Sequence, residues 1–384
     1  MTAGEMGYTS SGIEHKMINS SVTIGITGNI ATGKSVIRRM LANTGVFGID
    51  ADGLANRMIY PGGRAYQQVI EAFGPGIKSD QHTISNKKLG LIVFNDRERL
   101  QQLESLIHPP VIEAILKRIK TAQQRVASIE AIKLLESDLG THCDQIWVSH
   151  ASYSHQMRRL EKLRGLTEDE ASTRIRAQSP QIEKLSQADV IINTEASFKD
   201  TWLRTCNALN DTIQSVKLSA PLYIKISQDW VGTTVNTLPA AQLESAWEKL
   251  TGQDQASLYE HLGMEMVLML LKDEQIRAFM IWDNWNFTGT LKRVYPEDLI
   301  ASQPAVVYQA FEEHAHIYQT EILLLDGNLV SGLGNEPEQF GYDHQHSKNI
   351  TYPAWQIAAR KAEINDRSKI WQKVLAQPYE MEDV

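Results

Sequence analysis

Val22-Thr23-Ile24-Gly25-Ile26-Thr27-Gly28-Asn29-Ile30-Ala31-Thr32-Gly33-Lys34-Ser35 is the stretch that decides the fold. It opens on an apolar run, Val22–Ile26, and ends in Gly28–Ser35, which fits G-x-x-x-x-G-K-[ST]. Backbone N–H groups must converge on phosphate oxygens, so glycines stand where a Cβ would obstruct the tight turn or the close approach. The helix expected over about Lys34–Ala42 turns its free N–H groups and positive dipole end toward the same anion. Lys34 is placed to reach the β- and γ-phosphates, and the Ser35 hydroxyl to ligate Mg²⁺. Gly28, Asn29, Ile30, Ala31, Thr32, Gly33, Lys34 and Ser35 are therefore the candidate nucleotide-binding loop.

Outward from this loop the pattern repeats. Short strands are expected at Val46–Ile49, Val126–Ile129, Ile146–Val148 and Val190–Ile192, with long helical patterns between them and a last helix near Phe198–Val216. Strands separated by helices of that length imply a parallel sheet covered on both faces, an α/β fold of the P-loop NTPase kind. After Pro221 the rhythm changes to a strand at Leu222–Ile226, a helix at Ala240–Leu250, and a meander of Met264–Leu271, Ile276–Trp282 and Thr288–Val294. Helix Val306–His316, strand Glu321–Leu325, a glycine-spotted turn and a Trp-bearing C-terminal helix follow. The expected division is a loose leader at 1–20, a P-loop kinase domain at 21–219 and an α+β domain at 220–384, as a chain of 384 residues allows.

Charge separates the halves. The net charge is −8, but residues 1–224 carry 26 basic and 23 acidic side chains while 225–384 carry 12 and 23. An overall acidic chain is not built to hold nucleic acid, and a polyanionic small molecule is better placed in the first half. Two cysteines are too few for a disulfide framework or a cysteine-based zinc site, and no apolar run reaches bilayer-spanning length. The polar N-terminus lacks the order of a secretory signal, so a soluble cytoplasmic protein with no membrane partner is expected.

Ile49-Asp50-Ala51-Asp52 ends the second strand and starts a helix. A carboxylate at the C-terminal edge of a parallel sheet faces the ligand crevice and could take the proton of an attacking hydroxyl; it could equally cap the helix. On the loop alone a GTPase, an ATPase, a small-molecule kinase and a motor stay open; a nucleoside or nucleotide kinase and a non-catalytic nucleotide-binding regulator or scaffold are the competing readings of the whole chain.

From about Val22 to Leu209 the chain resembles the dephospho-CoA kinase family. The resemblance is carried by the loop, Ile49-Asp50-Ala51-Asp52, Pro61-Gly62, Phe73-Gly74, His108-Pro109 and Leu134-Leu135-Glu136. It continues through Gln156-Met157-Arg158-Arg159-Leu160, Arg174-Ile175-Arg176-Ala177-Gln178 and Ala188-Asp189-Val190-Ile191-Ile192-Asn193. It implies ATP- and Mg²⁺-dependent phosphorylation of the ribose 3′-hydroxyl of dephospho-CoA. By resemblance Asp52 is the general base with Asp50 in support, Lys34 and the lid arginines Arg158 and Arg164 meet the phosphates, and His108 and Glu136 lie near the acceptor. A lone His before Pro also reads as a helix-end residue. The chain departs from the family in three places: Leu163 stands where the lid Arg is usual, Asn86 replaces an Arg, and the Leu-Leu-Glu motif lacks its proline.

The second half is similar to a diverged acetyltransferase of the GNAT type, without the glycine-rich pyrophosphate loop. In its place Tyr295-Pro296-Glu297-Asp298 carries two acids that would repel a pyrophosphate. A structural or regulatory module is expected. His314, His316, His344 and His346 are read as surface residues rather than metal ligands, and Trp282, Trp285, Trp355 and Trp371 as core or interface residues.

Overall fold

A computed structural model describes residues 22–79, 82–93, 96–214, 223–330, 336–345, 350, 352–361, 370–376 and 378. The expected leader, the 215–222 segment around the domain boundary and His346 lie outside these residues.

The first half alternates strands β1 (Val22–Thr27), β2 (Phe47–Asp50), β3 (Val126–Glu130), β4 (Gln145–His150) and β5 (Val190–Asn193) with helices. The helices are α1 (Lys34–Asn43), α2 (Ala51–Met58), α3 (Tyr66–Phe73), α4 (Asn86–Val93), α5 (Arg97–Thr121), α6 (Tyr153–Arg164), α7 (Glu168–Arg176), α8 (Gln181–Leu185) and α9 (Phe198–Gln214). The strands form a five-stranded sheet of order β2-β3-β1-β4-β5, and every pair is parallel. β3 is buried along its whole length, so it reads Val-Ala-Ser-Ile rather than alternating, as a sheet covered on both faces requires. The order places the loop after β1 at the sheet centre, between the C-terminal ends of β3 and β4.

The second half carries β6 (Tyr223–Lys225), β7 (Trp230–Thr233), β8 (Met266–Lys272), β9 (Gln275–Trp285), β10 (Thr288–Tyr295), β11 (Ile322–Asp326), β12 (Asp343–Gln345) and β13 (Ile370–Val374). Its helices are α10 (Ala240–Thr251), α11 (Gln255–Met264), α12 (Leu299–Ser302), α13 (Pro304–Ile317), α14 (Gly327–Val330), α15 (Glu336–Gln339) and α16 (Pro353–Lys361). The eight strands form a separate mixed sheet in the order β12-β13-β11-β10-β9-β8-β7-β6. The β10–β11 pair is parallel and the other described pairs are antiparallel. Met264 ends α11 instead of starting the strand, α16 with Trp355 is the Trp-bearing helix, and α11, β7, β12 and β13 are elements the apolar runs did not announce.

The two sheets share their cores. One apolar cluster runs from Phe47, Leu54 and Ile129 to Leu268, Met280 and Phe311, and another joins Met40 and Trp202 to Leu258, Leu262 and Phe279. Between them Glu321 takes Arg57 Nη2 at 2.6 Å, Arg118 Nη2 and Trp355 Nε1, all of them buried. Phe287 lies under the Arg118 guanidinium, 3.5 Å from its carbon.

Two expectations are corrected. His314 is buried, not on the surface: it sits seven residues after Val307 and three after Phe311, on the inward stripe of α13, and accepts a hydrogen bond from Trp282 Nε1 at 3.0 Å. Burial pulls it down to about 3, so the ring is neutral and serves the indole. His316 and His344 are exposed, His344 beside Trp371. The helix-end reading of His108 also falls, because α5 runs unbroken through His108, Pro109 and Pro110. Cys143 and Cys206 are free thiols, each pushed up to about 12 chiefly by burial. Among the described residues no helix is long and apolar enough to cross a membrane.

Glu321→Ala leaves two buried guanidinium groups without their shared carboxylate and should cost about 3–5 kcal/mol. Urea unfolding of the full chain checks this; a loss below about 1 kcal/mol would show that the pair of arginines does not depend on Glu321.

Candidate active site

The glycine turn has the shape its sequence demands. Gly28 has φ 141°, and a Cβ there would meet Ser149 Oγ at 2.4 Å; Gly33, at φ 97°, occupies the left-handed region just before α1. Thr32 Oγ1 lies 2.6 Å from Ser149 Oγ and donates to Asn29 O, which fixes the loop against β4. Lys34 Nζ donates to Gly28 O at 2.9 Å and Asn29 O at 3.2 Å, so the ammonium lies inside the curve of the loop. Two contacts come from the segment after α7: Ile30 N donates to Gln178 Oε1 at 2.6 Å, and Asn29 Nδ2 to Ser179 O at 3.0 Å.

Near the loop lies a group of carboxylates with unequal fates, Glu130 buried and Asp50 and Asp52 half-buried. Glu130, the last residue of β3, accepts from Ser35 Oγ at 2.6 Å and from Arg38 Nε at 2.8 Å. Burial alone would raise it, but Arg38, Lys34 and the Ser35 and Arg38 hydrogen bonds hold it below the ordinary value. Asp50 caps α2, accepting from Gly53 N at 2.8 Å, so the capping reading applies to this residue. Burial and then the charge of Glu130 push it up. Asp52 stands in the first turn of α2 and accepts from Ile132 N at 3.1 Å. Burial first, and Asp50 second, raise it to about 6, against the pull of Ile132 N–H and Lys34. Lys34 itself is lowered by burial, with Glu130 and Asp52 opposing. One carboxylate is held charged beside the Ser35 hydroxyl, and another is poised near neutral pH.

A cavity of about 580 Å³ opens beside the loop. Its lining includes Gly33, Lys34 and Ser35 of the loop, Thr194 and Ala196 after β5, and Arg159, Leu163 and Arg164 of α6. Arg158 is exposed and is not on the cavity wall; Arg159 is, donating to Ala31 O at 2.9 Å and to Thr194. α6 ends at Arg164 with Gly165 as a left-handed cap, so Arg164 reaches the wall beside Leu163. Glu136 is exposed and lies 3.2 Å from Lys184 Nζ, which also donates to Ile132 O. His108 is half-buried in mid-α5, and Asn86 is exposed at the start of α4 with Lys87 and Lys88.

Three contributors were not singled out from the sequence. Glu130 had a signal, an acid closing an otherwise apolar strand next to the loop strand. Lys184 had none, and Arg159 none beyond belonging to Gln156–Leu160, because which of two adjacent arginines faces a cavity depends on how its helix is rotated. A hydroxyl and a charged carboxylate oxygen 2.6 Å apart at the α1 N-terminus form a donor set suited to Mg²⁺, which takes few protein ligands and keeps phosphate oxygens and water.

Comparisons with known proteins fall on this half. A family model for dephospho-CoA kinase matches residues 22–200. The chain is 40% identical over 181 residues to the dephospho-CoA kinase of Carboxydothermus hydrogenoformans, covering 46% of this chain and 88% of that protein. It is 38% identical over 184 residues to that of Geobacillus kaustophilus, covering 47% and 92%. A Thermus thermophilus protein of known crystal structure aligns with a TM-score of 0.46 and 26% identity, over 50% of this chain and 98% of that one.

A carboxyl raised from 3.8 to about 6 adds stability that is complete below the lower value and is lost as pH rises through the upper one. Asp52→Asn should therefore stabilise the protein at pH 8, by on the order of 1–3 kcal/mol, and do little at pH 4. Thermal melts of both proteins at the two pH values check the difference; equal shifts would mean that Asp52 is not raised.

Proposed function

The chain belongs to the dephospho-CoA kinase family and phosphorylates dephospho-CoA with ATP in CoA biosynthesis, and from that premise we propose how its residues divide the work. The observation that carries the reading is the pairing, around one loop, of a phosphate cradle with a carboxylate raised to about 6. In phosphoryl transfer the protein positions groups and neutralises charge. The N–H groups of Gly28–Ser35 and the Lys34 ammonium hold the β- and γ-phosphates. Ser35, with Glu130 behind it, would hold Mg²⁺, which would supply charge neutralisation at the phosphates.

Asp52 takes the proton of the ribose 3′-hydroxyl as that oxygen bonds to the γ-phosphorus and the bond to the β-phosphate oxygen breaks, releasing ADP. A carboxylate of pKa about 6 is mostly ionised at pH 7 yet basic enough to accept a proton. Asp50 fixes α2 and raises Asp52; it is a positioning residue. Arg159 and Arg164 carry positive charge on the cavity wall, which supports a lid role for this pair. Lys184 ties α8 to the segment after β3 through Ile132 O and Glu136, which supports placing the acceptor near Glu136; His108 of α5 is proposed on that side by resemblance.

The second half is proposed as a GNAT-like module without acetyl transfer. The meander β8-β9-β10 followed by a strand added parallel to β10 supports the topology. Glu297 and Asp298 directly after β10 support the loss of a pyrophosphate site.

Transfer of labelled γ-phosphate to dephospho-CoA tests the assignment; a nucleoside monophosphate outcompeting dephospho-CoA would overturn it. Lys34→Ala should lower kcat by about 10²–10³, and Asp52→Asn by about 10²–10⁴. With the wild type, kcat/KM should fall about tenfold per pH unit below about 6. A flat profile between pH 5 and 7 would remove Asp52 from the role of base.

A further inference from the structure

The cavity beside the phosphate loop is not built by the first half alone: Glu260 and Met264 of α11 lie on its wall. They are four residues apart and so share one face of the helix, while Leu258, Tyr259, Leu262 and Gly263 are buried behind them. The position of α11 is fixed closely. A Cβ on Gly263 would meet the Phe198 ring at 2.6 Å and Val36 at 3.2 Å, so α11 packs directly on α1 and α9. At the other end of α1, Asn43 Nδ2 donates to Leu262 O and Glu265 O, and Val267 N donates to Asn43 Oδ1 at 2.7 Å.

Met264 is 50% exposed and Leu163 of α6 is 78% exposed, yet both line this one cavity, together with Phe198, Val36 and Ala196. Large apolar side chains left open on two different helices, α6 and α11, in a pocket also lined by Gly33, Lys34 and Ser35 suit a flat aromatic ring. Glu260 is the acid on that wall among the described residues. Its repulsion from a triphosphate places it at the nucleoside end, and as an acceptor only it requires a donor there.

We propose that α11 completes the nucleotide pocket: Met264 and Leu163 pack on the two faces of the base, and Glu260 accepts a hydrogen bond from the nucleoside. This rests on the kinase reading for the identity of the phosphate ligand. It adds that nucleotide affinity and selectivity are set partly by the second half of the chain. Leu163, the departure from the family's lid arginine, is then one jaw of an apolar clamp whose other jaw the family portion does not contain.

The test is equilibrium binding of ATP, ITP and 2′-deoxy-ATP to the full chain without acceptor, with KM for ATP and for dephospho-CoA measured alongside. Met264→Ala should weaken ATP binding about five- to tenfold, with Met264→Leu restoring it and KM for dephospho-CoA unchanged. Glu260→Gln should weaken ATP about threefold or more. If ITP is unaffected by that change the donor is the base amine, and if 2′-deoxy-ATP is unaffected it is the ribose hydroxyl. Wild-type ATP affinity in both Met264→Ala and Glu260→Gln would overturn the proposal while leaving the kinase assignment intact. Wild-type protein that binds ATP but transfers nothing to dephospho-CoA would overturn the assignment and not the clamp.

Discussion

Helix α1 begins where the glycine turn frees backbone N–H groups for phosphate, and it ends at Asn43, whose carboxamide is spent on three backbone groups of the second half. The cradle works only if those N–H groups do not have to reorganise when charge arrives. Here the helix is held at both ends by different sheets: by β1 and β4 through Thr32 and Ser149, and by α11 and β8 through Asn43. Met40, buried on α1, belongs to a core cluster of second-half residues. Rigidity at the phosphates is therefore a property of the whole chain, and the division into two halves visible in composition does not correspond to two independent cores.

The same burial sorts the acids. Asp50, Asp52 and Glu130 are close enough to repel one another, and which stays charged is decided by which receives cations. Glu130 has Arg38, Lys34 and the Ser35 hydroxyl, and it is held low. Asp52 has one backbone N–H and a more distant Lys34, and it floats up to about 6. Two carboxylates with pKa values pushed apart are suited to different tasks, one as a fixed anion behind a cation site and one as a proton acceptor.

The loop, the parallel strands and the helix over Lys34–Ala42 were legible because each rests on local chemistry: glycine where φ is positive, apolar runs of strand length, and a helix starting where phosphate would sit. The meander of β8, β9 and β10 was legible for the same reason. What was hidden needed a partner. The α11 sequence Gln-Ala-Ser-Leu-Tyr-Glu-His-Leu-Gly-Met buries residues against α1 and α9, and a glycine near a helix end reads as a terminator until a neighbour's ring is seen filling its place. His314 hid its burial because histidine is ordinarily wet, although its spacing from Val307 and Phe311 already placed it inward. Arg158 and Arg159 differ only by the rotation of α6, which adjacent identical residues do not encode.

The charge asymmetry also changes meaning once the halves are packed. Read along the chain, an acidic second half looks like a poor neighbour for a triphosphate. In the structure several of its acids face first-half cations: Glu321 between Arg57 and Arg118, Glu244 at 2.8 Å from Lys199 Nζ, and Asp283 at 3.7 Å from Arg39 Nη2. Lys199 is exposed, so its pair with the buried Glu244 is screened by water and contributes little to stability, and the buried Glu321 group contributes mainly by what its removal would leave behind. Arg39 also lines the cavity beside the loop, and Asp283 lies 3.7 Å from it. An acid of the second half thereby pairs with a cation of the cavity wall, so part of the negative surplus in residues 225–384 faces first-half positive charge.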